Sequence, residues 1–469
     1  MSLLLKEKIY DYIFLFISAT IVPISVLAPI GIWIPLSLSA LIIFSLEKKK
    51  SDFLKINNKI DLIIFLIFLY ITFSLIWSIN FEHGINHIIH IIIVFFSTKV
   101  LLISSNKIKE FNKIKFTLYY SLVFTALITI IDIYFNLGIK AFLLYLSELV
   151  NTADNFSGIT IKNINLNKTK FTEGMYSGLY NRGIAVITIL FFILSITFHT
   201  KKIYFYPLFL ISILLSLVGE SFTIKTLIIL ALIIYLSTKV LKNKVYFLFP
   251  LTLIVYFFVS PILFNVTDQE EWNNDFLKHT NNLLILEKIT LANTFSGILG
   301  GNLNNLDLFF SKTKSNLYLK IHHRKMIWSF TSREIKKKFF FGHGFSSSRK
   351  LGEENLIISK STKDDDIKTR LYPAIPLHPH NNTLQVWLEL GLIGCILFLL
   401  LHLFLWNKLY ERTESFSTAK LFLIITFVGV FYINQISFGL WQTWWLSAIG
   451  YFIIFSNLFL NANLSRSLK

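Results

Sequence analysis

Apolar runs of about twenty residues, separated by short polar links, recur along most of the chain. They show no period-2 alternation, so they predict membrane-spanning helices and not barrel strands. Residues 11–46 are too long for one span and hold Pro23, Pro29, Gly31 and Pro35 mid-way, so they divide into spans at about 11–28 and 30–46. Further spans are expected at about 60–79, 86–104, 116–136, 183–199, 203–219, 223–240, 246–264, 383–405, 419–437 and 440–460, giving twelve.

Two polar interruptions stand out. A smaller one covers residues 137–181 and a large one covers 265–382. The chain therefore reads as spans one to nine in 1–264, a large outer loop at 265–382, and spans ten to twelve in 383–469. The large loop contains amphipathic stretches, among them NNLLILEKITLANTF. In RKMIWSFTSREIKKKFFF, Met326, Ile327, Phe330 and Ile335 recur at helical spacing. Short helices lying on or near the membrane face are expected there. The expected fold class is all-α, a polytopic membrane protein.

Charge then orients the bundle. Lys48 to Lys50, the lysines from Lys107 to Lys115, Lys201 with Lys202, and Lys239 to Lys244 fall in alternate links. By the positive-inside rule these links face the cytoplasm, and with an even number of spans both termini do too. The N-terminal stretch lacks a small-residue cleavage pattern and reads as a retained span. The sequence is 54% hydrophobic and 15% charged, with a net charge of +18 that topology accounts for without nucleic acid. Its one cysteine, Cys395, excludes a disulfide within the chain.

Candidate chemistry collects at the outer boundary. LHPHNNTLQVWLELGLIG closes the large loop and opens the tenth span, placing His380 and Asn381 at the membrane–water interface. An imidazole there suits general base catalysis near neutral pH, although a boundary histidine also serves simply as a helix-start residue. Gly391 and Gly394 fall on one face of the span and predict close helix contact. Arg182 opens the sixth span and Arg324 lies in the large loop. Each guanidinium can grip a phosphate bidentately, or act only as a snorkelling anchor. Lys225 and Glu220 also face outward, and Glu389 inside the tenth span should face the bundle interior. Asp364–Asp366 reads as a solvated loop. His322, His323, His343 and His378 are scattered without metal-site spacing.

These residues resemble the bacterial O-antigen ligase family, which shares a superfamily with O-antigen polymerases and O-linked oligosaccharyltransferases. The family pattern reads here as His380, Asn381, nine residues, Gly391, Leu392, Ile393, Gly394. The family's span-opening Arg, three residues, Leu becomes Arg182 through Ala185 and then Val186, a conservative departure. A loop arginine shortly before a tryptophan and a Gly-x-Gly is matched by Arg324, Trp328 and Gly342–Gly344. The resemblance implies an inverting, metal-independent glycosyl transfer without cofactor on the periplasmic face of the inner membrane. It implies an undecaprenyl-diphosphate-linked glycan as donor and a lipid A-core sugar hydroxyl as acceptor. His380 would be the base, and Arg182, Arg324, Lys225 and Asn381 would bind substrate. A polymerase or protein O-oligosaccharyltransferase of the same superfamily is the alternative. A polysaccharide transporter is a further one, but it calls for polar helices near the midplane and symmetric halves.

Overall fold

The computed structural model describes residues 3–135, 138–140, 143, 178–219, 221–241, 244–264, 324–363, 366–411 and 418–467. Glu220, His322, His323, Asp364 and the stretch 281–295 lie outside them.

The first nine long helices are α1 (Leu3–Leu27), α2 (Trp33–Leu46), α3 (Lys59–Ser74), α4 (Phe81–Ser104), α5 (Phe111–Phe135), α6 (Asn181–Phe198), α7 (Lys202–Val218), α8 (Phe222–Leu241) and α9 (Val245–Leu263). A helix over 324–337, α10, and α11 (Ser348–Glu354) belong to the large loop. A hairpin follows, in which β1 (Leu356–Lys363) pairs antiparallel with β2 (Asp366–Pro373), Leu356 opposite Pro373. The chain closes with α12 (Asn382–Glu411), α13 (Thr418–Ile436) and α14 (Thr443–Ser467). Ten helices among the described residues are long and apolar enough to cross a membrane, and two shorter apolar ones, Lys202–Val218 and Phe222–Thr238, complete the expected twelve. The protein is an all-α, multi-pass membrane protein, and the hairpin is the addition that a loop of short helices did not foresee.

Helix α6 is the axis of the bundle. It packs against α1, α7, α13 and α14, and every side chain from Gly183 to Phe198 is buried. A helix apolar all round has no reason to prefer a surface and sits in the middle. Gly183 makes this possible, because a Cβ there would lie 2.6 Å from the Val26 Cα of α1. The outer helices instead turn Phe65, Leu69, Ile229, Leu232, Phe247 and Leu251 outward, where lipid replaces protein as their partner.

The links carrying the lysines gather at one end. Asp11 of α1 accepts the backbone N–H groups of Lys109 and Glu110 at 3.0 and 3.2 Å. Glu47 meets both Tyr10 and Lys107. Asn457 of α14 donates to Ser105 Oγ at 2.9 Å. The first turns of α1 and the last turns of α14 thus share the basic end.

The apolar side of α10 does not lie open to lipid. Ile327, Phe330 and Ile335 are buried in the main core, and Phe339, Phe340 and Phe341 beyond the helix are the exposed residues.

Candidate active site

The tenth span is not one helix. The backbone leaves helical geometry at Gly391, where φ is 62° and ψ is −158°, a region open essentially to glycine alone. The expectation of a continuous span with Gly391 as a helix-packing residue is corrected here: Gly391 ends one helical segment and starts another. A Cβ there would stand 2.4 Å from the Phe340 carbonyl oxygen. The interruption releases backbone groups that need partners in an apolar interior. The segment 339–344 supplies them. His343 N donates to Leu388 O at 2.8 Å and Gly344 N to Glu389 O at 2.9 Å, while Leu392 N donates to Phe339 O at 2.9 Å. Tyr70 Oη covers Leu390 O at 3.0 Å. Gly342 and Gly344 both have positive φ, and a Cβ on Gly342 would come within 2.5 Å of the Glu389 backbone. Gly394 follows across the same break, its Cβ position 2.2 Å from that of Leu390.

Glu389 sits at this junction, 1% exposed. Its carboxylate accepts Ser346 N at 2.9 Å, Gln385 Nε2 at 3.1 Å, Trp441 Nε1 at 2.7 Å and the Ser348 hydroxyl. Four donors around one buried carboxylate tie the loop, α12 and the α13–α14 turn into one unit. The expectation that Glu389 faces the interior holds.

The short segment of α12 before the break aims His380. Asn381 is its N-cap: Oδ1 accepts Leu384 N at 2.9 Å and Nδ2 donates to Tyr256 Oη at 2.8 Å. The expectation of substrate contact through Asn381 meets a side chain that is 1% exposed and engaged at both ends, so the structure assigns it capping work. His380 itself has φ of 55°. Its Nδ1 lies 2.8 Å from Ser437 O. A carbonyl only accepts, so Nδ1 carries the hydrogen and the neutral ring keeps its lone pair on Nε2.

His378 lies beneath. Its Nδ1 accepts the His380 backbone N–H at 3.1 Å, and the two ring centroids are 4.3 Å apart. Burial, then the neighbouring His380 ring and the charges of Arg182 and Arg324, holds the His378 imidazole well below the usual histidine value. Arg182 from α6, Arg324 from α10 and His380 from the loop before α12 thus lie near enough to His378 to bear on its ionisation. Gly439 makes room, since a Cβ there would fall 2.7 Å from the His378 ring.

The other predicted residues frame this cluster. Trp328 Nε1 donates to Pro379 O at 2.9 Å and so fixes the turn before His380. The Arg182 guanidinium lies 5.3 Å from the centre of the Trp444 ring. Burial lowers the affinity of Arg324 for its proton, and Tyr432 opposes that. Tyr432 Oη meets Thr226 Oγ1 at 2.5 Å, one residue from Lys225 at the start of α8. Lys225 is half-buried there. His343 is held elsewhere, with Nε2 3.1 Å from Glu334 O. Among the described residues no three His, Cys, Asp or Glu side chains sit together as a metal would require. Sequence reasoning overlooked Ser437, Gly439, Tyr256 and Trp444. The one hint was the density of glycine and tryptophan in FGLWQTWW.

A family model described as O-antigen ligase matches residues 208–399, a stretch holding Lys225, Arg324, Trp328, His380, Asn381, Gly391 and Gly394 but not Arg182. The chain is 37% identical over 128 residues to a protein of Rickettsia conorii named for an inferred polysaccharide ligase activity, covering 27% of this chain and 29% of that one. A protein of Rickettsia bellii with the same designation is 31% identical over 188 residues, 39% of this chain and 42% of the relative. The matches thus span less than half the length of either relative. No solved structure matches the chain. These findings identify a multi-pass membrane protein whose residues 208–399 are similar to the O-antigen ligase family.

Proposed function

We propose that the protein transfers a glycan from undecaprenyl diphosphate to a sugar hydroxyl of lipid A-core, on the periplasmic side of the inner membrane, by metal-independent inversion. The acceptor oxygen attacks the anomeric carbon while the bond from that carbon to the diphosphate oxygen breaks. The leaving diphosphate takes the bonding electron pair, and the acceptor's proton passes to His380 Nε2. A sugar hydroxyl is a poor nucleophile, so a base at the point of attack lowers the barrier. Arg182 and Arg324 stabilise the charge that develops on the diphosphate. Lys225 contributes positive charge at the same end of the bundle.

One observation supports this most strongly. The Ser437 carbonyl holds the Nδ1 hydrogen of His380, leaving Nε2 as the basic atom, and His378 beneath it feels both guanidiniums. Both features support reading His380 as a base with a fixed tautomer and the two arginines as an anion-binding pair.

The reading is tested by deleting the gene and examining lipopolysaccharide on a gel. Loss of all capped core supports ligase activity. A single repeat on the core instead indicates a polymerase, and unglycosylated surface proteins with normal lipopolysaccharide indicate a protein oligosaccharyltransferase.

A further inference from the structure

A second buried charged cluster lies beside Arg182, outside the family-matched segment. Lys140 is 3% exposed, although it lies beyond the end of α5. Its Nζ donates to Val26 O, at the end of α1, and to Leu179 O, each at 2.5 Å. Asp132 of α5 accepts Ile139 N at 3.1 Å, Lys140 N at 3.4 Å and the Tyr180 hydroxyl. Lys140 Nζ also lies 4.7 Å from the centre of the Tyr180 ring. Leu179 and Tyr180 immediately precede α6, and Arg182 is in its first turn. One ammonium and one carboxylate thus fasten the turn from which the guanidinium projects to α1 and α5.

We infer that Lys140 is a positioning residue for Arg182, fixing through Leu179 and Tyr180 the turn that presents the guanidinium to an anionic diphosphate, and adding its own positive charge behind it. The inference rests on the reaction proposed above. A buried ammonium held by two carbonyl oxygens is an expensive way to fasten a turn. The arrangement makes sense where an anion arrives to share the charge. Burial, followed by the charge of Arg182, pushes the Lys140 ammonium down to about 7, with Asp132 acting the other way. Among the described residues, the titratable and charged groups facing it are Asp132 from α5, Tyr180 before α6 and Arg182 from α6. An anion bound at Arg182 favours the protonated form of Lys140. By reciprocity, protonated Lys140 favours the anion, so donor affinity should fall as pH rises through neutrality.

The test uses the full-length protein in lipid nanodiscs. Binding of the undecaprenyl-diphosphate-linked glycan, whose diphosphodiester keeps its charge throughout, is measured from roughly pH 6 to pH 9, a range bracketing a lysine near neutrality. The wild type should lose about tenfold in affinity across that range. Lys140→Arg should bind tightly with no such fall, and Lys140→Met weakly with no such fall. Asp132→Asn, which removes the opposing carboxylate, should move the fall to lower pH. Tyr180→Phe should weaken binding and keep the pH dependence. A Lys140→Met protein that binds as tightly as wild type with the same pH dependence overturns the inference. If that variant does not insert, an unmoved midpoint in Asp132→Asn overturns it instead. A dialkyl diphosphate without sugar, titrated in parallel, separates the two proposals. If it shows the pattern but no glycan is transferred, the proposed reaction fails and the Lys140 assignment stands. If glycan is transferred but the pattern is missing, only the Lys140 assignment fails.

Discussion

The backbone N–H of Gly344 donates to the carbonyl of Glu389 at 2.9 Å, joining the loop after α10 to the interior of α12 just before the helix breaks. The Gly-x-Gly of the large loop and the first glycine of the His380 motif are therefore two halves of one joint. Neither makes sense alone. The break exposes carbonyls that only a bare loop backbone approaches closely enough to satisfy.

Gly391→Ala should be strongly destabilising, because the new Cβ meets backbone at 2.4 Å in a conformation that L side chains rarely adopt. Backbone strain alone is worth about 1–3 kcal/mol. Thermal unfolding of the detergent-solubilised protein should show a clear fall in Tm. Gly31→Ala is the control, since its nearest neighbour is the Ile34 Cδ1 at 3.9 Å, and should be close to neutral.

Glu389→Gln turns one acceptor of a four-donor site into a donor. Two N–H groups then compete for the space of one hydrogen bond, at a cost of about 1–3 kcal/mol. Tm should drop, and proteolysis within 339–347 should quicken as the loop loosens. Unchanged Tm and cleavage would mean that this carboxylate does not hold the joint.

Much of this was legible in the sequence. All twelve apolar runs became helices, because backbone in hydrocarbon has few alternatives. The lysine-bearing links share one end of the bundle. The helix break at Gly391 was not legible, because apolar residues continue on both sides and hydropathy does not sense a φ angle. The role of Asn381 was hidden for a related reason: an N-cap and a substrate ligand present the same amide, and only the distance to Leu384 N separates them. The cluster around Lys140 joins α1, α5 and α6, so no local spacing announces it.

Asn381→Ala removes the cap of α12 and should cost about 1 kcal/mol. Transfer activity should fall with it, because the capped turn aims His380. Asn381→Ser, which can still cap, should recover most of the Tm and of the activity. A fall in activity for Asn381→Ser without loss of Tm would instead point to direct substrate contact.

The buried state of His378 makes stability pH-dependent. Its folded-state affinity for a proton is depressed by burial and by its cationic neighbours. As pH falls below the ordinary histidine value of about 6.5, the unfolded chain therefore takes up a proton that the folded one resists. Stability should decline on acidification and be unaffected by this group on the alkaline side. His378→Asn offers Oδ1 to the His380 N–H without titrating, so its Tm should fall less between pH 7.5 and pH 5.5, values chosen to lie about one unit either side of the ordinary histidine pKa.

The most direct measurement is single-turnover transfer of glycan from the undecaprenyl-diphosphate-linked donor to lipid A-core by purified His380→Asn protein. The asparagine amide can replace Nδ1 in the bond to Ser437 but supplies nothing in place of Nε2. The rate should fall by about 10²- to 10⁴-fold while donor affinity and Tm stay near the wild-type values. Transfer at the wild-type rate would show that His380 is not the base.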